Sequence, residues 1–551
     1  MSSPKPPKSP VAPADQWSVA SLLADPERCY RAVISRDRRF DGRIVLAVSS
    51  TGIYCRPSCP TGIRPKRANA RFYATAAAAQ GAGFRACKRC RPDAAPGSPE
   101  WAMGDDLVNR AMRAISAGEI DRLGVDGLAD GLSVSPRHLT RMLHARVGAT
   151  PLSLARARRA HAARQLLEHS NLSMTEVAFA AGFGSVRQFN DTVREVYDRT
   201  PSNLRQARMA KGVASGASSP GKRHRSLAKV GDSPHRSDGP AVHASAPVPT
   251  TLRLAIRPPF DAAEVIRFLT SRALPGVEHG DGSTFTRLLS LSGGPATITL
   301  RPEFDDRRGG ESASVDDGMN VELRVTDLTD LSAAVSVAER LCDATCDPAG
   351  VVELLGADPH LGPSVHAHPG RRMPACADGF EALVRAVLGQ QVTLGRGLRL
   401  AGQLVSAVAR PAPDWAPSGL THLPLSAADV AAADLSMLGM PGARRRALTA
   451  AAEAVASGVV SFDAHASRQA VRQALLAVPG IGPWTVDYVA LRGLADPDAF
   501  PIGDVALQRG AANLGIDRAP LALLTRAEAW RPWRAISTAH LWANAGNGVQ
   551  P

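Results

Sequence analysis

The chain has 551 residues, 44% of them hydrophobic, which is material for three or four globular domains and excludes a fibrous or wholly unstructured protein. With 65 Lys+Arg against 51 Asp+Glu its net charge is +14, which points to a polyanionic partner and away from a basic one. There is no apolar run long enough for a membrane span, and the opening MSSPKPPKSP lacks the apolar stretch of a signal peptide.

Residues 1–15 are expected to form a disordered tail, followed by a small basic domain over 16–97. Residues 16–100 hold 15 Lys+Arg against 6 Asp+Glu. Four cysteines, Cys55, Cys59, Cys87 and Cys90, are spaced C-x3-C, then 27 residues, then C-x2-C. That spacing predicts a single tetrathiolate Zn2+ site rather than disulfides. Paired thiols with no export signal fit a reducing cytoplasm. The cysteines lie among Arg56, Arg64, Lys66, Arg67, Arg85, Lys88, Arg89 and Arg91. A metal and neighbouring cations favour thiolate, the nucleophilic form of cysteine, and the same cations suit a phosphate backbone. Two readings follow from the spacing: a structural zinc knuckle, or a site that does chemistry on DNA. Cys29, outside both pairs, reads as buried packing.

Residues 25–95 resemble the N-terminal domain of the Ada methyltransferases, through TGIYCRPSC at 51–59 and GFRACKRCRPD at 83–93, with RFDGR at 39–43 and RFY at 71–73. The resemblance implies that Cys55 takes a methyl group irreversibly from a methylphosphotriester in DNA. The Pro-Cys-His-Arg site of Ada's second methyl-acceptor domain does not occur here.

Residues 103–208 carry apolar positions at helical spacing and read as two helix-turn-helix units. In the first, a helix over 125–132 turns at Ser133–Val134 into one capped by Ser135, with Pro136 at its first position. In the second, Ser173 caps a helix over 174–181, a turn follows at Gly182-Phe-Gly184, and a helix begins near Ser185. A helical stretch over 151–169 joins them. Any helical hairpin could follow this pattern, but GF-x-S-x3-F at 182–189 and Y-x2-TP at 197–201 resemble AraC-type regulators. In such modules the second helix of each unit enters a major groove. The candidate readers are Arg137, His138 and Arg141, then Arg187, Gln188 and Asn190. Residues 209–249, rich in Ser, Gly, Pro and basic residues, are expected to be a flexible linker that raises local concentration without fixing geometry.

Alternating strands and two helices over 250–341 predict a small α+β domain with no catalytic constellation of its own. Cys342 and Cys346 could share a helix face; with Cys376 they read as core thiols. Residues 342–551 are helical and rich in Ala and Leu. Here LLAVPGIGPWTVDYV, at 475–489, runs one helix into a Pro-Gly-x-Gly turn and out into another. Gly480 and Gly482 allow a tight hairpin whose backbone N–H groups point at a phosphate. Asp504 stands 22 residues past Gly482, at a helix start, where an acid is commonly an N-cap.

With WRPWR at 530–534 and HLW at 540–542, these features resemble the helix-hairpin-helix DNA glycosylases, and among them the AlkA type. The resemblance makes Asp504 the carboxylate that stabilises an oxocarbenium-like sugar. It makes Tyr488, Trp542 and Trp484 walls of a pocket for a flipped base. Glycosylases that also cut the backbone carry a Schiff-base Lys where Trp484 stands, so a monofunctional hydrolase is expected. No iron–sulfur cysteine set and no organic cofactor are expected. Gln391 falls where AlkA inserts a Leu wedge.

The expected fold class is therefore multidomain, mainly α with α+β parts. The expected activity is methyl transfer and methylation-dependent transcriptional activation joined to excision of bases such as 3-methyladenine. Expected partners are alkylated and promoter double-stranded DNA and RNA polymerase, for a monomer in the cytoplasm at the nucleoid. The rival reading is a pure transcriptional regulator with a non-catalytic, damage-binding C-terminal half.

Overall fold

A computed structural model of the protein describes residues 18–61, 64–90, 92, 106–170, 172–206, 247–303 and 318–546. The expected N-terminal tail, all but the last three residues of the expected linker, and Arg91 lie outside them. Among the described residues no helix is long and apolar enough to cross a membrane.

The N-terminal unit opens with α1 (Val19–Ala24) and α2 (Pro26–Ser35), each started by a side chain that accepts a backbone N–H, Ser18 and Asp25. Four short strands follow: β1 (Val45–Val48), β2 (Ile53–Cys55), β3 (Ala70–Tyr73) and β4 (Arg85–Ala86), in the order β3-β1-β2-β4. The turn between β1 and β2 uses Gly52 at φ 64°. Helix α3 (Ala76–Gly81) carries the chain from β3 back to β4, which pairs with β2 in parallel. That crossover sets the ends of β2 and β4 side by side, where Cys55 and Cys87 lie.

Six helices follow: α4 (Leu107–Ser116), α5 (Glu119–Gly131), α6 (Pro136–Val147), α7 (Pro151–His169), α8 (Met174–Ala180) and α9 (Val186–Tyr197). The caps at Ser135, Ser173 and Ser185 all form, each accepting the backbone N–H three residues on. Helix α5 begins earlier than the apolar pattern suggests and is broken at Gly124, which adopts φ 70°. Gly182, at φ 87°, makes the second turn.

Next come β5 (Thr250–Arg253), α10 (Ala262–Thr270), β6 (Glu278–Gly280), β7 (Phe285–Leu291), β8 (Gly294–Glu303), β9 (Gly318–Val325) and α11 (Leu331–Leu341). The strands form an antiparallel sheet in the order β5-β9-β8-β7-β6. Alternate residues of β9 are buried, as a sheet with one covered face requires. Because α11 ends at Leu341, Cys342 is its cap and Cys346 lies beyond it, so the two thiols do not share a helix face. Both are buried, as are Cys29 and Cys376.

The C-terminal unit is helical: α12 (Pro348–Leu355), α13 (Gly362–Ala367), α14 (Gly379–Gly389), α15 (Leu394–Val408), α16 (Ala427–Ala432), α17 (Gly442–Ala456), α18 (Arg468–Leu476), α19 (Pro483–Arg492), α20 (Val505–Asn513), α21 (Pro520–Ala527) and α22 (Arg534–Ala543). Helix α14 is buried along nearly its whole length and is the centre of this unit. A buried charge cluster locks it to the sheet. Arg287, fully buried in β7, donates to Glu278 at 2.6 Å and to Glu381 of α14 at 2.7 Å, and Arg385 joins the same two carboxylates at 2.6 and 2.9 Å. Two cations and two anions satisfy each other, which makes the burial tolerable. Arg385 also donates to the Arg272 carbonyl at 2.7 Å, which ties the segment just past α10 to the helical unit.

Candidate functional site

The four cysteines come together. Their sulfurs lie within 4.8 Å of one another and all four residues are buried. Cys55 ends β2, and the Cys87 N–H donates to the Tyr54 carbonyl at 2.9 Å, extending the β2–β4 pairing to the second ligand pair. The Cys55–Cys59 loop is held by Asp41, which accepts from the Ser58 N–H at 3.0 Å and from its hydroxyl. A compact, buried, all-thiol donor set fits Zn2+. Cys29 stands apart in another cluster, its thiol donating to the Leu22 carbonyl at 3.1 Å and pushed by burial up to about 11.

The cationic setting is less free than the sequence suggests. Arg56 pairs with Asp41 at 3.7 Å, Arg67 with Glu27 at 2.6 Å, and both Arg85 and Lys88 reach Asp198, at 3.3 and 3.2 Å. Arg64, Lys66 and Arg89 are exposed. Asp198 caps the C-terminus of α9, so the loop carrying Cys87 and Cys90 is tied to a helix of the second helix-turn-helix.

In α6, Arg137, His138 and Arg141 are exposed on one side, with Arg141 donating to His138 Nδ1 at 3.2 Å. In α9, Arg187 and Gln188 are exposed and Asn190 is half-buried, while Phe189, Val193, Val196 and Tyr197 face the core. Gln188 is partly engaged: its side-chain oxygen accepts the Gly184 N–H at 3.3 Å.

The hairpin between α18 and α19 uses its two glycines differently. Gly480 adopts φ 84°, and a Cβ there would stand 2.5 Å from the Ala447 Cβ. Gly482 is extended, so the turn does not need a glycine there. It is the N-cap of α19, makes no side-chain cap bond, and faces open space. Among the described residues no side chain therefore covers the first amides of α19, as a phosphate site needs.

Asp504 caps α20 and does more. It is 7% exposed. Its Oδ1 accepts the Leu507 N–H at 2.9 Å and the Trp542 indole N–H at 3.1 Å, and its Oδ2 accepts the Trp484 indole N–H at 3.4 Å. The two tryptophans expected as pocket walls thus aim their N–H edges at the carboxylate. Trp542 also stacks on Phe268 with centroids 6.5 Å apart, and Trp484 and Tyr488 are 5.6 Å apart. Trp542 is buried, whereas Trp484 and Tyr488 are half-buried.

Two residues here were missed in the sequence, and both come from the α+β unit that was expected to hold none. Phe268 lies on α10, and Arg272 just beyond its end places its guanidinium 3.8 Å from the Phe268 ring centroid. Arg492 covers the same ring at 4.8 Å. Burial pushes Arg272 down to about 9, Arg492 acts in the same direction, and Tyr488 and Asp504 pull it back. Phe268, Arg272 and Trp542 also line a cavity of about 470 Å³ that Asp504 does not line. Gln391 is exposed between α14 and α15 and held at φ 56°, a strained conformation for a residue with a side chain. Its neighbour Gln390, another omission, donates to Thr485 Oγ1 at 3.0 Å and so ties the loop carrying Gln391 to α19.

Family models match three segments: the metal binding domain of Ada over residues 28–93, a helix-turn-helix domain over 128–207, and the AlkA N-terminal domain over 251–378. The chain is 45% identical over 526 residues to a probable bifunctional transcriptional activator/DNA repair enzyme AlkA of Mycobacterium tuberculosis, covering 95% of this chain and 97% of that protein. It is 29% identical to the DNA-3-methyladenine glycosylase 2 of Escherichia coli, over 53% of this chain and 96% of that one. It is 35% identical to the bifunctional transcriptional activator/DNA repair enzyme Ada of E. coli, over 34% of this chain and 50% of that one.

Proposed function

The chain belongs to the family of bifunctional transcriptional activator/DNA repair enzymes AlkA, and we propose from that premise which residues carry each of its activities. It transfers methyl groups from DNA to itself, activates transcription and excises alkylated bases. The observation that carries the last of these is a buried carboxylate, Asp504, held by two indole N–H groups and a helix N-terminus.

Cys55, Cys59, Cys87 and Cys90 hold one Zn2+, which when bound keeps the sulfurs as thiolates. The Cys55 sulfur attacks the methyl carbon of a methylphosphotriester. The S–C bond forms, the C–O bond breaks and a phosphodiester anion leaves. Exposed Arg64, Lys66 and Arg89 bind the backbone. Methylation turns one of four anionic sulfurs into a neutral thioether, and removing one charge close to phosphates is worth about 1–4 kcal/mol before screening. The reading helices α6 and α9, through Arg137, His138, Arg141, Arg187, Gln188 and Asn190, convert that gain into promoter occupancy, and activation follows by contact of the monomer with RNA polymerase. After incubation with methylated DNA, mass spectrometry is expected to find a single added methyl, on the peptide holding Cys55. Modification of another cysteine, or of none, would sink the assignment.

For base excision, the amides past Gly482 hold a phosphate, Gln391 enters the gap left by the flipped nucleotide, and Tyr488, Trp484, Trp542 and Phe268 enclose the base. Asp504 stabilises positive charge on the sugar as the glycosidic bond breaks, and water completes the hydrolysis. With Trp484 where a lyase lysine would be, borohydride is expected to trap no covalent protein–DNA adduct. An adduct would mean a Schiff base and a second activity. The rival reading, a pure regulator, gives no role to an acid held by two indoles beside an uncovered helix N-terminus. Release of 3-methyladenine from methylated DNA by the purified chain decides between them.

A further inference from the structure

Two contacts make Glu119 unusual. It is the first residue of α5, in the first helix-turn-helix, and it is 3% exposed. Its two carboxylate oxygens accept from the far half of the chain: Oε1 from the Ala464 N–H at 3.2 Å, and Oε2 pairs with His465 Nδ1 at 2.8 Å. The other end of the same imidazole lies against Gly131, the last residue of α5, where a Cβ would stand 2.8 Å from His465 Nε2 and 3.0 Å from its Cδ2. The ring therefore fills a gap between the two ends of α5 that exists because residue 131 has no side chain.

Helix α4 completes the grip. Arg110 donates to the His465 carbonyl at 2.7 Å, and Arg113 to the carbonyls of Ala464 and Ala466 at 3.4 and 3.5 Å. Three consecutive residues of one loop are thus held by one acid, two guanidinium groups and one glycine. A buried carboxylate is stable only when partnered, and the partners named here for Glu119 come from that loop. Two further contacts join the halves. Arg43 of the zinc-binding unit forms an ion pair with Asp347 just ahead of α12, the side chains being 4% and 3% exposed. Arg158 of α7 donates to Ser332 of α11. Buried apolar residues of α7 to α9 and of the β5–β9 sheet also form one continuous core.

We propose that the regulatory half docks on the glycosylase half through a clasp in which His465 is inserted between Glu119 and Gly131, so that the two halves meet DNA as one body of fixed geometry. The clasped loop leads through the cap Ser467 straight into α18, the first helix of the hairpin. At about 1.5 Å per residue the nine residues of α18 set the hairpin turn roughly 13 Å from the clasp. The clasp therefore fixes where the hairpin lies relative to the reading helix α6. A tether alone would leave that relation free.

The test uses the full chain with a protease site inserted in 209–249. After cleavage, the two halves of the wild type are expected to co-elute on size exclusion at micromolar concentration; separation at that concentration would overturn docking. His465→Ala and Gly131→Ala in the uncut chain are each expected to speed amide exchange at 464–467 and in α5 by tenfold or more. Gly131→Ala is informative because, taken alone, it favours the helix. Combined with His465→Ala it should add nothing further, since its effect runs through the imidazole. Unchanged exchange in either single variant, or additive effects in the double, would overturn the clasp.

Discussion

Asp504→Asn is expected to lower the rate of 3-methyladenine release by about a thousandfold, near 4 kcal/mol of transition-state stabilisation, with affinity for DNA changed only a few-fold. The geometry says why the loss is chemical rather than structural. The amide oxygen can still accept from the Leu507 and Trp542 N–H groups, so the cap of α20 and the position of Trp542 survive. The amide nitrogen then faces the Trp484 indole N–H, where two donors meet and no bond forms. What disappears is the negative charge, which only the cationic transition state requires. Single-turnover release from methylated DNA, alongside binding to an abasic duplex, separates the two effects. Undiminished release would move the chemistry away from Asp504, and loss of binding to the same degree would make the acid a structural cap.

The contrast between what the chain reveals by itself and what folding adds follows sequence distance. The cysteine pairs, the serine caps and the Pro-Gly-x-Gly hairpin are local devices, each written within a few residues and each present in the fold. Cys55 and Cys87 are 32 residues apart, and only their pair spacing betrays that they meet. Phe268 and Arg272 carry no such signal. A Phe on an amphipathic helix reads as core and an Arg at its end as solvated surface, and the tie that holds that helix end to the helical unit, Arg385 donating to the Arg272 carbonyl, spans 113 residues. The indoles show a different limit. Their presence at the site is legible, but that their N–H edges rather than their faces meet the carboxylate depends on rotamers set by packing. Gly482 shows a third. Its spacing from Gly480 suggests a shared role in the turn, yet only Gly480 has the left-handed backbone.

Replacing Cys59, Cys87 or Cys90 by Ser is expected to unfold the N-terminal sheet while leaving α4 to α9 folded, with zinc falling from one per chain to none. The buried cluster on this face of the sheet consists of Val33, Leu46, Ala70 and the four cysteines. Even with Val45, Ala47, Tyr54 and Ala86 in the core shared with α7 to α9, so few apolar side chains cannot offset the chain entropy of these short strands. Metal binding by four thiolates, on the order of 10 kcal/mol, is the larger stabilising contribution available. Cys87 shows the effect most directly. Strand β4 has two residues, and its hold on β2 continues through the Cys87 N–H to the Tyr54 carbonyl. Without the metal that loop leaves the sheet and takes Arg85 and Lys88 away from Asp198 at the end of α9. Cys29→Ser is the matched control. It removes an equally buried thiol from a cluster without ligands, and a serine hydroxyl can still donate to the Leu22 carbonyl. Hydrogen exchange across 45–90 together with zinc content distinguishes the two classes. Full protection of that sheet in a three-cysteine variant that has lost its zinc would show that apolar packing alone holds it, and Cys29→Ser losing zinc would draw that thiol into the site.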